Sequence, residues 1–169
     1  MSDPRVSTPA VLVIEDDTSL RVALAELLDE AGFRVSSASN GYTGLRLASL
    51  EHPRVVLLDL VLPELTGIEV LRELRSSPEL RDTAVVVITG NTSWIPEARV
   101  AGADLVIEKP FDVDELLAAI QAVIGSSRRS SQRHAVAAVL PPVIRAHPSP
   151  RPSRPGQHVP TWRPRRRNP

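Results

Sequence analysis

Four separated segments of this chain carry groups suited to phosphoryl chemistry: Glu15-Asp16-Asp17, Asp59, Thr89 and Lys109-Pro110. Carboxylates gathered at one place repel one another, and the repulsion is relieved by protonation or by a divalent cation. An oxygen-only donor set, with no cysteine in the chain and no histidine near these segments, favours Mg²⁺ or Mn²⁺ over zinc. Magnesium keeps several waters and uses one or two carboxylates beside a substrate phosphate, which leaves one carboxylate free as a nucleophile. Asp59 is that candidate, because it follows Val55-Val56-Leu57-Leu58, the most buried-looking strand and hence the most rigid. A carboxylate attacking a phosphoryl group forms an aspartyl phosphate, whose spread negative charge needs positioned cations and donors. Thr89 can donate a hydrogen bond, Lys109 can make a charge-assisted contact and the metal can meet a third oxygen. Lys109 is the only lysine beside 19 arginines, a compact ammonium where the chain otherwise uses guanidinium.

The elements that must carry these groups are readable from periodicity. Residues 10–14, 34–38, 55–58, 84–89 and 105–107 read as strands, three of them continuously apolar and so suited to a parallel sheet covered on both faces. Amphipathic helices alternate with them. The first has an apolar stripe of Leu20, Ala23, Leu24, Leu27, Leu28 and Ala31, with Asp17 or Thr18 to cap its start and Gly32 to end it. The second runs about 42–50 after Asn40-Gly41, the third about 67–75, a weak fourth follows Ser93, and the fifth follows a capping aspartate and ends at Gly125. This alternation predicts an α/β fold, a doubly wound five-stranded parallel sheet flanked by five helices. Ligands in such folds bind beyond the carboxyl ends of the strands, and the acidic triplet, Asp59, Thr89 and Lys109 all fall there.

The net charge of zero hides two unlike parts. Residues 1–125 hold all 20 acidic residues and 10 of the 20 basic ones, a balance of −10, whereas residues 126–169 hold 10 arginines and no acid, a balance of +10. Nine of the 16 prolines also lie after residue 125, and that composition is expected to stay disordered. The expected layout is a flexible N-terminus over 1–9, one domain over 10–125 and a Pro/Arg-rich disordered tail over 126–169. A solvated extension is favoured for the tail over an arm that binds nucleic acid. Its opposite charge would also let it fold back on the domain. The first residues lack the pattern of a secretion signal and no apolar run reaches the length of a membrane span, so a cytoplasmic protein is expected.

The segments VLVIEDD, VVLLDLVLPELTG, VVVITG and GADLVIEKPF resemble the motif set of response-regulator receiver domains, the CheY-like domains of two-component systems, over about residues 10–125. The match is specific because four separated motifs agree in order, spacing and strand placement. The resemblance implies that Asp59 is phosphorylated and that Asp16 binds the metal directly, with Glu15 acting mainly through water. It implies that Val61 lends its backbone carbonyl, that Thr89 and Lys109 bind phosphoryl oxygens, and that Pro110 follows a cis peptide bond. It further implies a Mg²⁺ cofactor and a histidine kinase or phosphotransfer protein as donor. A downstream protein would bind at the face of helix four, strand five and helix five, and the chain would be a monomer or a phosphorylation-dependent dimer. Two features depart from the family pattern: Val106 stands where an aromatic switch residue is common, and the side chains flanking the phosphoryl site, Val61 and Asn91, are apolar and neutral.

Such domains catalyse their own phosphorylation and dephosphorylation but are switches rather than metabolic enzymes. Two other readings compete. An aspartate-nucleophile phosphatase usually needs an acid two residues after the nucleophile, where this chain has Val61. A pseudo-receiver that binds partners without phosphorylation usually lacks the acceptor, an acid or the lysine, and all are present here.

Overall fold

The computed structural model describes residues 8–127 together with Val143 and Ile144. The order is β1 (Ala10–Ile14), α1 (Thr18–Glu30), β2 (Arg34–Ala38), α2 (Gly41–Glu51), β3 (Val55–Asp59), α3 (Gly67–Ser76), β4 (Ala84–Thr89), α4 (Ile95–Val100), β5 (Leu105–Glu108), α5 (Val113–Ser127) and β6 (Val143–Ile144). All strands are parallel in one sheet of order β2-β1-β3-β4-β5-β6. The first five strands and five helices are the doubly wound architecture expected from the alternation.

The continuous apolar runs are what a sheet covered on both faces requires. Residues alternate between faces along each strand, so Leu12, Ile14, Val56, Leu58, Val85, Val87 and Val106 pack on one side with Val70, Leu71 and Leu74 of α3. Val11, Val13, Val55, Leu57, Val86, Ile88 and Ile107 pack on the other with Leu24 and Leu28 of α1 and Leu116 and Ile120 of α5. Val55 through Leu58 have no exposed surface, and each such side chain contributes roughly 1.5–3 kcal/mol on burial. β3 is therefore firmly anchored, as are β1 and β4, whose residues 11–14 and 85–88 are equally buried.

Several boundaries differ from expectation. β3 extends through Asp59 and β5 through Glu108, so the acceptor candidate is the last residue of its strand rather than the first of a loop. The cap of α1 is Asp17, whose side chain accepts from the Leu20 amide, and Gly32 follows at φ 87°, a conformation natural to glycine. The weak fourth helix is a 3-10 turn over Thr92–Trp94 leading into only six α-helical residues, with Pro96 in the first turn. α5 continues past Gly125 to Ser127, and the Ser126 hydroxyl lies 3.1 Å from the Ala122 carbonyl oxygen and 3.0 Å from that of Val123, a back-bond into the preceding turn.

A short sixth strand joins the five expected ones. Val143 and Ile144 lie in the stretch expected to be disordered, yet they pair with β5, Val143 opposite Val106 and Ile144 opposite Ile107. Composition averaged over the tail conceals a β-branched dipeptide beside an apolar edge. At the other end, the Pro9 carbonyl accepts from the Arg34 amide, which ties residue 9 to β2. The remaining expectations for 1–7, 128–142 and 145–169 lie outside the described residues.

Candidate functional site

Sheet register assembles the site. Ile14 pairs with Leu58 across β1 and β3, so the next residues, Glu15 and Asp59, stand side by side at that end of the sheet. Asp59 pairs with Ile88, which puts Thr89 one residue beyond it on the neighbouring strand, and Thr89 pairs with Glu108, just before Lys109. Four groups distant in sequence thus meet at the carboxyl ends of β1, β3, β4 and β5.

Carboxylate oxygens of Glu15, Asp16 and Asp59 all lie within 4.8 Å of one another. Glu15 and Asp59 are buried and Asp16 is exposed. One Asp59 oxygen, Oδ1, accepts from the Val61 amide at 2.9 Å, and the other accepts from the Lys109 ammonium. The same ammonium donates to Glu15 Oε2 at 2.8 Å. Burial of Glu15 raises its pKa above the ordinary value and the charge of Asp59 adds to this, while the hydrogen bond from Lys109 works against both. Burial pulls the Lys109 pKa down, but its bonds to Asp59 and Glu15 outweigh that and leave it raised, so the ammonium stays charged.

Three carboxylates against one ammonium leave two uncompensated negative charges when all are ionised. An all-oxygen cluster with that excess and one solvent-facing member fits a hard divalent cation that retains waters. Glu15, Asp16 and Asp59 are the residues that would hold it.

The structure separates the other candidates by role. Asp17 caps α1 and donates its amide to Glu15 Oε1 at 3.3 Å, so it orients the cluster and stands outside it. Val61 meets Asp59 through its amide, and its side chain is exposed. Thr89 is fully buried, but its hydroxyl accepts from the Asn91 amide at 3.1 Å and is 3.5 Å from the Asn91 carbonyl, so it engages the loop rather than Asp59. The Lys109–Pro110 peptide bond is cis. Val106 is buried in the core.

Three supporting features escaped sequence reasoning. Arg21 donates to the carbonyls of Glu15 at 2.9 Å and Asp16 at 3.2 Å, pinning the acidic loop. A cation one turn into a helix runs against the helix dipole, and that oddity was the available signal. Gly67 starts α3 directly on the end of β3: a Cβ there would lie 2.2 Å from the Asp59 carbonyl oxygen. Thr66 and Glu69 form a capping box that fixes this start, readable as Thr-x-x-Glu.

This fold, with an acidic cluster and one lysine at the carboxyl ends of its strands, defines a CheY-like receiver domain of two-component response regulators. Residues 11–121 match the response regulator receiver domain family, and the chain belongs to it. It is 30% identical over 119 residues to a probable chemotaxis protein CheY of Rhizobium etli, covering 69% of this chain and 92% of that protein. It is 31% identical over 111 residues to sporulation initiation phosphotransferase F of Bacillus subtilis, covering 66% and 90%. A Mycobacterium response regulator, MprA, is 38% identical over 125 residues but is matched over only 51% of its length. Among solved structures, the receiver domain of a Pseudomonas aeruginosa sensor histidine kinase superposes with TM-score 0.67 at 27% identity, covering 71% of this chain and all of that one. That structure has a magnesium ion coordinated in its active-site cleft.

Proposed function

We propose that the chain is a single-domain response regulator: Asp59 accepts a phosphoryl group from a histidine kinase or phosphotransfer protein, and phosphorylation changes which protein the domain binds. The observation that carries this is Asp59 itself. It is a buried strand-end carboxylate, with one oxygen held by the Val61 amide and the other by Lys109, beside an acidic pair. The relatives matched over about nine-tenths of their length support the single-domain reading.

In the transfer, an Asp59 oxygen forms the new P–O bond as the bond from phosphorus to the donor nitrogen breaks, and the electron pair leaves with that nitrogen. Mg²⁺ bound by Asp16, Asp59 and the Val61 carbonyl, with Glu15 acting through water, would supply charge neutralisation at the phosphoryl oxygens. The Lys109 ammonium, already bonded to Asp59, is in place to meet another of those oxygens. Thr89 completes the set when its hydroxyl leaves Asn91 for the phosphoryl group. Asn91 holds the 3-10 turn through its side chain, which accepts from the Ser93 amide at 3.1 Å and the Ser93 hydroxyl at 2.6 Å. Loss of the Thr89 contact therefore shifts this turn and α4, and the face of α4, β5 and α5 carries the change to a partner. With Val106 at the position discussed above, the signal runs through this loop rather than through a rotating ring. The output is binding rather than metabolism, and its expected place is the cytoplasm.

Intact-mass measurement after incubation with Mg²⁺ and a small acyl phosphate tests the reading. The wild type should gain one phosphoryl group and Asp59→Asn none. A wild type that gains nothing would favour the phosphorylation-independent binding module and overturn the proposal.

A further inference from the structure

The two edges of the main sheet differ in composition. β2 forms one edge with Arg34, Ser36 and Ser37, and Arg34 and Ser37 are exposed. Polar and charged residues there discourage pairing with another chain. β5, the outermost of the five core strands on the other side, is Leu105-Val106-Ile107 followed by Glu108, and its three apolar residues are buried. An apolar edge with a row of unpaired backbone groups is a template for strand addition. In this protein β6 lies along it.

The sequence explains both the choice of segment and its length. Val143 and Ile144 are β-branched and suit an extended, paired backbone. Pro141 and Pro142 precede them and have no amide hydrogens, so the ladder cannot extend in that direction. α5 lies between β5 and β6 in the chain, so parallel pairing continues the strand-helix-strand alternation of the rest of the fold. The +10 balance of residues 126–169 is opposite in sign to the −10 balance of residues 1–125, so the two parts attract. A two-residue ladder is weak as a separate interaction and holds because the connection makes it intramolecular. It is therefore displaceable.

We propose that the β5 edge is a strand-docking surface held closed by this chain's own Val143–Ile144 segment, and that the closure keeps a second copy of the chain from pairing there. The docking is independent of chemistry at Asp59. Its importance for signalling rests on the proposed partner face of α4, β5 and α5.

The test compares the full-length wild type with full-length Val143→Pro/Ile144→Pro, using residue-resolved amide hydrogen exchange and sedimentation velocity. A Val143→Asp/Ile144→Asp variant serves as a second disruption without proline, and the circular dichroism melt checks that the domain stays folded. In both variants the amides of β5 that face away from β4 should exchange roughly tenfold faster while those facing β4 are unchanged. Both variants should self-associate with rising concentration where the wild type stays monomeric. Unchanged exchange overturns the docking. Faster exchange without self-association overturns the closure. A wild-type dimer that the substitutions convert to monomer shows the segment pairing between copies and overturns the in-chain arrangement. Intact mass after phosphodonor treatment, measured on the same samples, reports separately on the phosphorylation reading.

Discussion

Asp59 is held at both carboxylate oxygens. It is buried, with one oxygen taking a backbone amide and the other an ammonium, which fixes its position at the strand end. Glu15 shares that ammonium. Its raised pKa fixes the sign of a pH effect: a carboxyl whose folded pKa lies above the unfolded value favours the fold at low pH, and this contribution is lost as pH rises through the folded pKa. Replacing Glu15 by Gln removes the titration, so the stability difference between Glu15→Gln and wild type in metal-free buffer should widen in favour of the variant as pH rises through the folded pKa. Urea melts across that range check it, and a difference independent of pH would contradict the assignment. The residue types at this site were legible from sequence because an acidic pair, a strand-end aspartate, a threonine and a lone lysine occur in order. The present partner of Thr89 was not legible, because a hydroxyl chooses among neighbours that only the folded loop supplies.

At the scale of elements, the junction between β3 and α3 determines how firmly Asp59 is held. Gly67 touches the Asp59 and Leu60 backbone, and its amide donates to the Leu60 carbonyl at 3.0 Å. Backbone atoms cannot give way as a side-chain tip can, so Gly67→Ala must displace α3 or the end of β3. A loss of about 3 kcal/mol is expected, measured by denaturant unfolding, together with slower phosphorylation because Asp59 moves with its carbonyl. Wild-type stability in the variant would show that the junction yields more easily than its contacts imply. Helix and strand identities followed from periodicity, whereas their ends did not. α5 runs through Gly125 to Ser127 with Ser126 bonding back to the preceding turn, and a 3-10 turn capped by Asn91 leads into α4. These are local hydrogen-bond choices that an apolar pattern does not encode.

For the whole molecule, the acidic cluster stores unfavourable charge at the mouth of a sheet buried on both faces, and a divalent cation relieves it. Mg²⁺ binding to the folded state alone should raise stability by about 2.7 kcal/mol at a concentration one hundred times its Kd, roughly 10 °C in Tm for a domain of this size. Asp16→Asn should remove most of that gain, and thermal melts with and without Mg²⁺ measure it. An equal rise in the variant would place the cation elsewhere. By itself the sequence determined the alternation of strands and helices, the two-faced core and the identity of Glu15, Asp16, Asp59 and Lys109, because hydrophobic period and residue chemistry are local properties. Tertiary structure decided which oxygens share the Lys109 ammonium, how Arg21 braces the acidic loop and Gly67 the end of β3, and that Val143–Ile144 joins the sheet at β5. Each of these depends on groups distant along the chain meeting at one strand end or edge, and register and packing, rather than local pattern, set those meetings.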